Sequence, residues 1–253
     1  MTEGQRTHRP SFAARALQRV GRVIPPWLGG QLHRAPTALT FGLTGPFNGQ
    51  RMRVAAVQSM FRSVPFEAVV ETGTYRALTT RFLRGLTGAP IATIEINPRY
   101  HAYSRKRLAN AADVYPFLGA SPGVLELLAA DRGWTSGPTF LYLDAHWLDN
   151  LPLVDELRVV CRGWSDFVAL IDDFKVDGDE GYGYDNYGPG KSLELSLVDV
   201  PEFAGLRVFW PAVPSRQETG MRQGYVVLAT GGAMADALAG LPELRDGGAL
   251  GAR

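Results

Sequence analysis

Three aspartates stand at the ends of two apolar runs. Asp144 closes the run FLYLD, and Asp172 and Asp173 close the run VALIDD. If the two runs are neighbouring strands, three carboxylates meet at one edge of a sheet. Two such charges about 4 Å apart repel by about 4 kcal/mol at an effective dielectric of roughly 20, so the group needs a proton, an arginine or a divalent cation. Because oxygen ligands favour Mg²⁺, Mn²⁺ or Ca²⁺ over zinc, the pattern predicts a metal site, with Mg²⁺ as the favoured ion.

His146 lies two residues after Asp144, and this spacing places both side chains on one face of an extended chain. An imidazole at this position can act as a general base near neutral pH, so Asp144 and His146 are the predicted catalytic residues. Two alternatives remain open. His146 can be an ordinary hydrogen-bonded loop residue, and Asp173 can cap a loop, because successive side chains of a strand point to opposite faces.

A second pair of acids ends two earlier apolar runs, Glu71 in VVETG and Glu95 in IATIEI. Gly73 follows Glu71 closely and permits close backbone approach, and the next helix offers free N–H groups. A pyrophosphate-binding turn has the pattern G-x-G-x-x-G and no acid at the strand end, so a dinucleotide is disfavoured. The first carboxylate instead suits a cationic group and the second suits ribose hydroxyls. S-adenosylmethionine carries both groups. Glu71 as a solvated charge or as part of a structural ion pair remains the alternative.

Alternating strands and helices must position these acids. Helix-compatible stretches separate five apolar runs between residues 66 and 173, which predicts an α/β protein with a doubly wound, mostly parallel, Rossmann-like sheet. The five runs are FEAVVE, IATIEI, VYPFLG, TFLYLDAH and DFVALIDD. Two later runs, LRVFWPAV and GYVVLAT, have no helix between them and predict a terminal antiparallel hairpin. The sheet is therefore expected to have seven strands.

Five segments of the chain carry a resemblance to a known family. In chain order they are VVETGTYRALTTRFL, ATIEINPRY, FLGASPGVLELL, FLYLDAHW and VALIDDF. Together they resemble the class I S-adenosylmethionine-dependent methyltransferases, and among these the metal-dependent O-methyltransferases of the macrocin type, over residues 66–230. The resemblance implies S-adenosylmethionine as cofactor and a divalent metal at the three aspartates. That metal would orient two substrate hydroxyls and lower the pKa of the one that is methylated.

The resemblance also implies which residues contact the cofactor. In the family, the first-strand acid and its glycine turn bind the methionine part, the second-strand acid binds the ribose, and residues after the third strand line the adenine. The matching residues here are Glu71, Gly73, Thr74, Glu95, Ala120 and Ser121. This sequence departs from the family in having one glycine in the first turn and in having Ala120 where an acid is common. Ser121 also fits the role of a helix N-cap.

The N-terminal segment differs from the rest of the chain in charge. Up to residue 62 it carries nine arginines and one acid, a net charge of +8, which leaves −7 for the remainder. Apolar residues at helical spacing between Phe12 and Ile24 predict an amphipathic helix. We therefore divide the chain into a basic arm, residues 1–48, and a methyltransferase domain, residues 49–253. The arm is expected either to dock on an anionic surface, such as a membrane with anionic headgroups, a nucleic acid or an acidic partner, or to be a solvated or self-packed segment.

Composition narrows the class of protein further. The single cysteine, Cys161, excludes an internal disulfide framework, and no apolar run approaches the roughly 20 residues of a membrane span, so we expect a cytoplasmic protein, peripheral to a membrane if the arm docks there. The predicted activity is O-methylation of a hydroxyl on a sugar, glycan or small natural product. The alternatives are a metal-dependent phosphoesterase-like hydrolase and a non-catalytic S-adenosylmethionine-binding protein.

The loop over residues 174–190 is predicted to be a lid whose tyrosines stack on the acceptor, with a disordered polar excursion as the alternative.

Overall fold

The computed structural model describes residues 45–147 and 150–251. Helix α1 (Arg51–Ser63) comes first, and the carboxylate of Glu218 accepts hydrogen bonds from its N-terminal amides at Met52 and Arg53, both at 3.0 Å. An acid at this position satisfies free N–H groups and complements the helix dipole. Most of the predicted basic arm lies outside the described residues. Of its last residues, the 3₁₀ turn Pro46–Gly49 packs into the domain.

In the described part of the chain, eight strands form one mixed sheet in the order β3-β2-β1-β4-β5-β7-β6-β8. They are β1 (Ala68–Thr72), β2 (Ile91–Glu95), β3 (Val114–Leu118), β4 (Thr139–Leu143), β5 (Phe167–Asp172), β6 (Arg207–Pro211), β7 (Tyr225–Ala229) and β8 (Leu244–Ala249). The first five are parallel, and the last three pair antiparallel. The predicted doubly wound, mostly parallel Rossmann-like fold with its antiparallel hairpin is confirmed. The additional strand is β8, whose Asp-Gly-Gly sequence is more typical of a turn.

Helices cover both faces of the sheet. Besides α1 they are α2 (Leu78–Arg84), α3 (Pro98–Arg107), α4 (Ser121–Ala129), α5 (Arg132–Thr135), α6 (Leu153–Gly163), α7 (Leu195–Val198) and α8 (Ala233–Ala239). Apolar residues of α1, α2 and α8 belong to one core cluster, and those of α4 and α6 belong to the other. Every residue of β1, β2, β4, β5 and β7 is therefore buried, which explains their continuously apolar sequences. None of the described helices is long and apolar enough to cross a membrane.

The strand order places the predicted acids together. The chain runs outward from β1 to β3 on one side and from β4 to β5 on the other, so strand order reverses between β1 and β4. Ligands of open α/β sheets bind beyond the carboxyl ends of the strands at such a point. Thr72 at the end of β1 pairs with Leu143 at the end of β4. The acids that end β1, β2, β4 and β5 therefore share one edge of the sheet.

Candidate functional site

The turn after β1 is pressed against the end of β4. Gly73 has φ +85°, and a Cβ atom at this position would overlap the carbonyl oxygen of Asp144. Its amide donates to the carbonyl of Ile94 on β2 at 2.9 Å. Tyr75 and Ala77 also adopt the left-handed conformation, with φ of +44° and +54°. Of these three residues of the turn, only Gly73 combines a left-handed dihedral with a backbone contact that excludes a Cβ atom, which explains why the turn contains a single glycine.

Glu71 is buried among threonine hydroxyl groups near this turn. Its carboxylate accepts hydrogen bonds from Thr80 on α2 and from Thr93 on β2, the latter at 2.6 Å, and the side chain is 1% exposed. The hydroxyl of Thr74 lies 2.6 Å from that of Thr93. Burial raises the pKa of Glu71 to about 7, against the opposing effect of the two hydrogen bonds. The structure thus places the carboxylate of Glu71 and the hydroxyl of Thr74 inside the protein, under the backbone that a ligand would contact.

Glu95 ends β2 with its carboxylate fixed by the backbone. It accepts from the amide of Tyr75 and from the amide of Asn97, each at 2.8 Å. Burial raises the pKa of Glu95, and these amides oppose the rise. Beside it Ile96 and Leu118, at the ends of β2 and β3, expose 56% and 51% of their surface. The sequence analysis missed this apolar shelf, although large apolar residues at strand ends were a visible signal.

The two residues predicted to line an adenine begin α4. Ala120 is the N-cap and Ser121 the first helical residue, so the N-cap is one residue earlier than expected. Glu156 of α6 is buried, and its burial raises its pKa against the opposing effect of the hydroxyls of Ser121 and Thr72. Its Oε1 atom is buried without a hydrogen-bond partner among the described residues. Sequence reasoning missed Glu156. An acid at a position on the apolar face of a predicted helix was the available sign of a buried carboxylate.

Asp144, His146 and Asp173 bring three ligand atoms within 4.8 Å of one another. His146 Nε2 lies 3.8 Å from Asp144 Oδ1 and 3.4 Å from Asp173 Oδ2. Burial opposes protonation of His146, but the hydrogen bond to Asp173 and the charges of Asp173, Asp144 and Asp185 outweigh it and raise its pKa to about 9. Burial likewise opposes ionisation of Asp173, and the same hydrogen bond lowers its pKa below the ordinary value. Without an ion, these shifts favour an imidazolium at His146 beside the carboxylate of Asp173.

Asp172, predicted as a third acid ligand, points elsewhere. Its carboxylate forms an ion pair with Arg53 of α1, and both side chains are 0% exposed. Arg53 also donates to the carbonyls of Gln223 at 2.5 Å and Gly224 at 3.1 Å. Asp173 contacts His146 instead of Arg53. Its left-handed conformation, φ +51°, directs its carboxylate toward that imidazole. The group that meets geometrically is thus Asp144, His146 and Asp173, with Asp172 held by an arginine below it.

Tyr142 connects the buried ion pair to the cluster. Its hydroxyl donates to Asp172 Oδ2 and lies 3.0 Å from Asp144 Oδ2. One hydroxyl has one proton, so it cannot donate to both carboxylates at once. Burial and the charge of Asp172 raise the pKa of Asp144, which favours a proton on that carboxyl. Asp144 is therefore poised to carry either a proton or a cation.

The loop after β5 is tied to this cluster. The amide of Asp185 donates to the carbonyl of Asp173 at 2.9 Å, and the hydroxyl of Tyr187 donates to Asp185 at 2.6 Å. Tyr182, predicted to stack on an acceptor, is instead 3% exposed, and its hydroxyl donates to the carbonyl of Val213 at 2.8 Å. The stacking prediction is wrong for Tyr182 because its ring fills the core. Tyr187 stays beside the cluster.

A cleft of about 720 Å³ lies away from these residues, where α2 and α3 end and lead into β2 and β3. Its lining includes Arg81, Arg84 and Arg107 and none of the candidate site residues. Ligand binding at a switch point takes place at the opposite strand ends, so we assign the functional site by chemistry and topology rather than by cleft size.

Several solved methyltransferase structures share the fold. An O-methyltransferase from Bacillus cereus, solved in complex with SAH, is 16% identical, with a TM-score of 0.52 over 88% of this chain and 93% of that one. A candidate O-methyltransferase from Klebsiella pneumoniae is 15% identical, with a TM-score of 0.51 over 85% and 95%. A candidate caffeoyl-CoA O-methyltransferase from Staphylococcus aureus is 12% identical, with a TM-score of 0.50 over 72% and 84%. Comparisons with protein-family models and with curated protein sequences gave no match.

Proposed function

We propose that this protein is an S-adenosylmethionine-dependent methyltransferase that methylates a hydroxyl of a sugar or small natural product with the help of a divalent cation. The observation that carries the proposal is the juxtaposition at the switch point. There the Gly73 turn, pressed on the backbone of Asp144, lies beside the Glu95 carboxylate and the exposed side chains of Ile96 and Leu118. The shared fold of structures that are themselves named methyltransferases supports it.

Each part of this edge suits one part of S-adenosylmethionine. The Glu95 carboxylate, oriented by two backbone amides, is an acceptor for ribose hydroxyls. The apolar shelf of Ile96 and Leu118 suits one face of an adenine. Glu71, buried under the turn with a pKa of about 7, supplies negative charge below the position proposed for the ammonium and sulfonium. Ser121 and Ala120 complete the adenine side, as the resemblance implies.

The donor set of the three-residue cluster fits a divalent cation. Two carboxylates suit Mg²⁺ or Mn²⁺, the imidazole favours a transition metal such as Mn²⁺ over Mg²⁺, and the short mutual distances agree with a shared ion. Bound there, the ion would lower the pKa of a coordinated hydroxyl. His146 must lose its proton to act as a ligand or as a general base, because an imidazolium has no free lone pair. Asp144, His146 and Asp173 would hold the ion.

The hydrolase alternative is less well supported. A two-metal phosphoesterase site needs more ligands than the two acids and one histidine that meet among the described residues. It also leaves Glu95 and its apolar shelf without a role. A non-catalytic S-adenosylmethionine-binding protein would share the Glu95 edge but would not need the cation cluster. The separate tests of cofactor and cation binding below therefore distinguish the three functions.

Calorimetric titration with S-adenosylhomocysteine tests the cofactor proposal. We expect binding by the wild type, and a loss of about tenfold to a hundredfold in affinity in Glu95→Gln, because a charged hydrogen-bond acceptor is removed. Ile96→Ser should weaken binding without a loss of stability, whereas Leu127→Ser, equally apolar and 69% exposed on α4, should change neither. Absence of binding by the wild type would overturn the proposal.

Titration with Mn²⁺ tests the cation site separately. Wild type should bind the ion and release a proton, while Asp173→Asn and His146→Gln should bind it at least tenfold more weakly. Asp155→Asn, on the exposed surface of α6, is the matched control. Equal Mn²⁺ affinity in all four proteins would remove the cation from the mechanism and leave the cofactor proposal standing.

A further inference from the structure

Two arginines that have no part in the proposed function are buried at the same strand ends. Arg76 follows the Gly73 turn and Arg99 opens α3 after β2, and they are only 7% and 8% exposed. The Nε atom of each is buried without a hydrogen-bond partner among the described residues. In that part of the chain, neither guanidinium belongs to an ion pair, and the cation–π contacts found involve other cations.

Such a pair is costly for the protein alone. A buried guanidinium loses its hydration, and only hydrogen bonds or an opposite charge recover that loss. Arg53 illustrates the usual solution, since it has Asp172 and two carbonyls. Arg76 and Arg99 have no carboxylate partner among the described residues, and the Nε atom of each lacks a hydrogen bond there. The segments outside those residues offer two further acidic side chains, Glu3 and Asp149.

The two cations share one environment. Tyr75 and Tyr100, their neighbours in sequence, pack edge to face with ring centroids 4.8 Å apart. Burial raises the pKa of Tyr100 to about 12, and the positive charges of Arg99 and Arg76 both oppose that rise. Both guanidiniums therefore lie near one phenol ring. The amide of Tyr75 also holds Glu95, so the arginines adjoin the proposed ribose acceptor.

The backbone holds Arg76 in a defined place. Tyr75 and Ala77 on either side of it have positive φ, which is unfavourable for residues with a Cβ atom. Because this strained turn leads directly into α2, it restricts where the side chain of Arg76 can point.

We propose that Arg76 and Arg99 form an oxyanion-binding subsite that takes a carboxylate or phosphate group of a ligand bound at this edge. The inference rests on the proposed function only for the source of that group, which is either the carboxylate of S-adenosylmethionine or an anionic group of the acceptor.

Thermal unfolding of the full chain in inorganic phosphate tests the subsite without any cofactor. Phosphate should raise the melting temperature of the wild type and of Arg105→Gln, an exposed arginine of α3, because a ligand bound only to the folded state stabilises it. The rise should disappear in Arg76→Met and Arg99→Met and be reduced in Arg76→Lys, which keeps the charge but loses the planar fork. An equal rise in all variants would overturn the proposal.

The same variants report on the cost of the unpaired charge. Without phosphate, Arg76→Met and Arg99→Met should melt at or above the wild-type temperature, because they replace an uncompensated cation by an apolar side chain. A lower melting temperature in both variants, with phosphate having no effect on the wild type, would assign these arginines a structural role instead.

A second binding experiment identifies the source of the oxyanion. S-adenosylhomocysteine has a carboxylate, and 5′-methylthioadenosine has none. If the variants lose about tenfold in affinity for the first ligand and keep their affinity for the second, the oxyanion belongs to the cofactor. If they lose the phosphate response and bind both ligands as the wild type does, it belongs to the acceptor. Failure of the wild type to bind S-adenosylhomocysteine, with the phosphate response as expected, would overturn the proposed function and leave the subsite standing.

Discussion

The guanidinium of Arg53 contacts the carboxylate of Asp172 at a place where neither side chain has any exposed surface. Sequence reasoning had placed Asp172 among the cation ligands and left open whether a proton, an arginine or a metal compensates the cluster. The structure supplies an arginine for Asp172, from the first described helix. Asp172 thus belongs to the support of the site rather than to the group that faces the ligand edge.

We predict that Arg53→Met lowers the free energy of unfolding by about 3–5 kcal/mol, because it leaves the carboxylate of Asp172 buried without an opposite charge. Urea denaturation measures this change. The double variant Arg53→Met with Asp172→Leu should recover much of the loss, since neither charge is then buried. Arg158→Met, which removes an exposed ion pair with Asp155 and Glu202, should change stability little. A loss as small as in this control would contradict a buried ion pair at Asp172.

Glu71 predicts a dependence of stability on pH. Its pKa is about 7 in the folded protein, above the ordinary value of 4.5, so the folded state binds more protons than the unfolded state between these values. The free energy of unfolding should therefore fall as pH rises from about 4.5 to 7, by roughly 3 kcal/mol from this group. Glu71→Gln keeps an oxygen that accepts from Thr80 and Thr93 but cannot ionise.

The measurement compares Glu71→Gln with the wild type over this range. The two should be equally stable below pH 4.5, and the variant should be the more stable above pH 7. Glu126→Gln, an exposed acid on α4, should follow the wild-type curve. Parallel curves for wild type and Glu71→Gln would show that Glu71 ionises normally in the folded state.

Two glycines with nearly equal dihedrals separate strain from steric overlap. Gly73 and Gly178 have φ of +85° and +79°, and a Cβ atom overlaps the backbone of Asp144 at the first and meets nothing within 4 Å at the second. Gly178→Ala should therefore cost only about 1 kcal/mol of dihedral strain. Gly73→Ala should cost several kcal/mol, about 3 or more, and abolish S-adenosylhomocysteine binding, because the turn must move away from β4. Similar melting temperatures for the two variants would contradict the close approach.

Tyr142→Phe tests the link between the ion pair and the cation cluster. Removal of the hydroxyl leaves Arg53 and Asp172 paired but frees the side chain of Asp144, so Mn²⁺ affinity should fall about tenfold or more. Tyr182→Phe is the matched control, since it removes the hydroxyl bond of another buried tyrosine to Val213. It should leave Mn²⁺ binding unchanged. Equal affinities in both variants would make Tyr142 a packing residue only.

Much of the architecture could be predicted from local patterns, because buried parallel strands and their intervening helices each leave a signal in consecutive residues. The strand-end acids could be found for the same reason. The direction of their side chains could not, since it depends on the left-handed conformation of Asp173 and on Arg53, which lies 119 residues away from Asp172 in the chain. Residues 191–200 contain only the single helical turn Leu195–Val198, and the start of the segment pairs with the loop after β5. The burial of Glu156, Arg76 and Arg99 likewise depends on tertiary packing, which consecutive residues do not reveal.

The position of Arg53 also affects the order in which the chain folds. Its partners Asp172, Gln223 and Gly224 follow it by 119, 170 and 171 residues. During synthesis from the N-terminus, α1 emerges long before these groups exist, and its cation cannot enter an apolar core until they do. Docking of α1 must therefore wait until β5 has been made and the chain has reached β7. The candidate site is completed only when almost the whole domain has been synthesised, so a prematurely ended chain would have the Gly73 turn without the ion pair of Arg53 and Asp172.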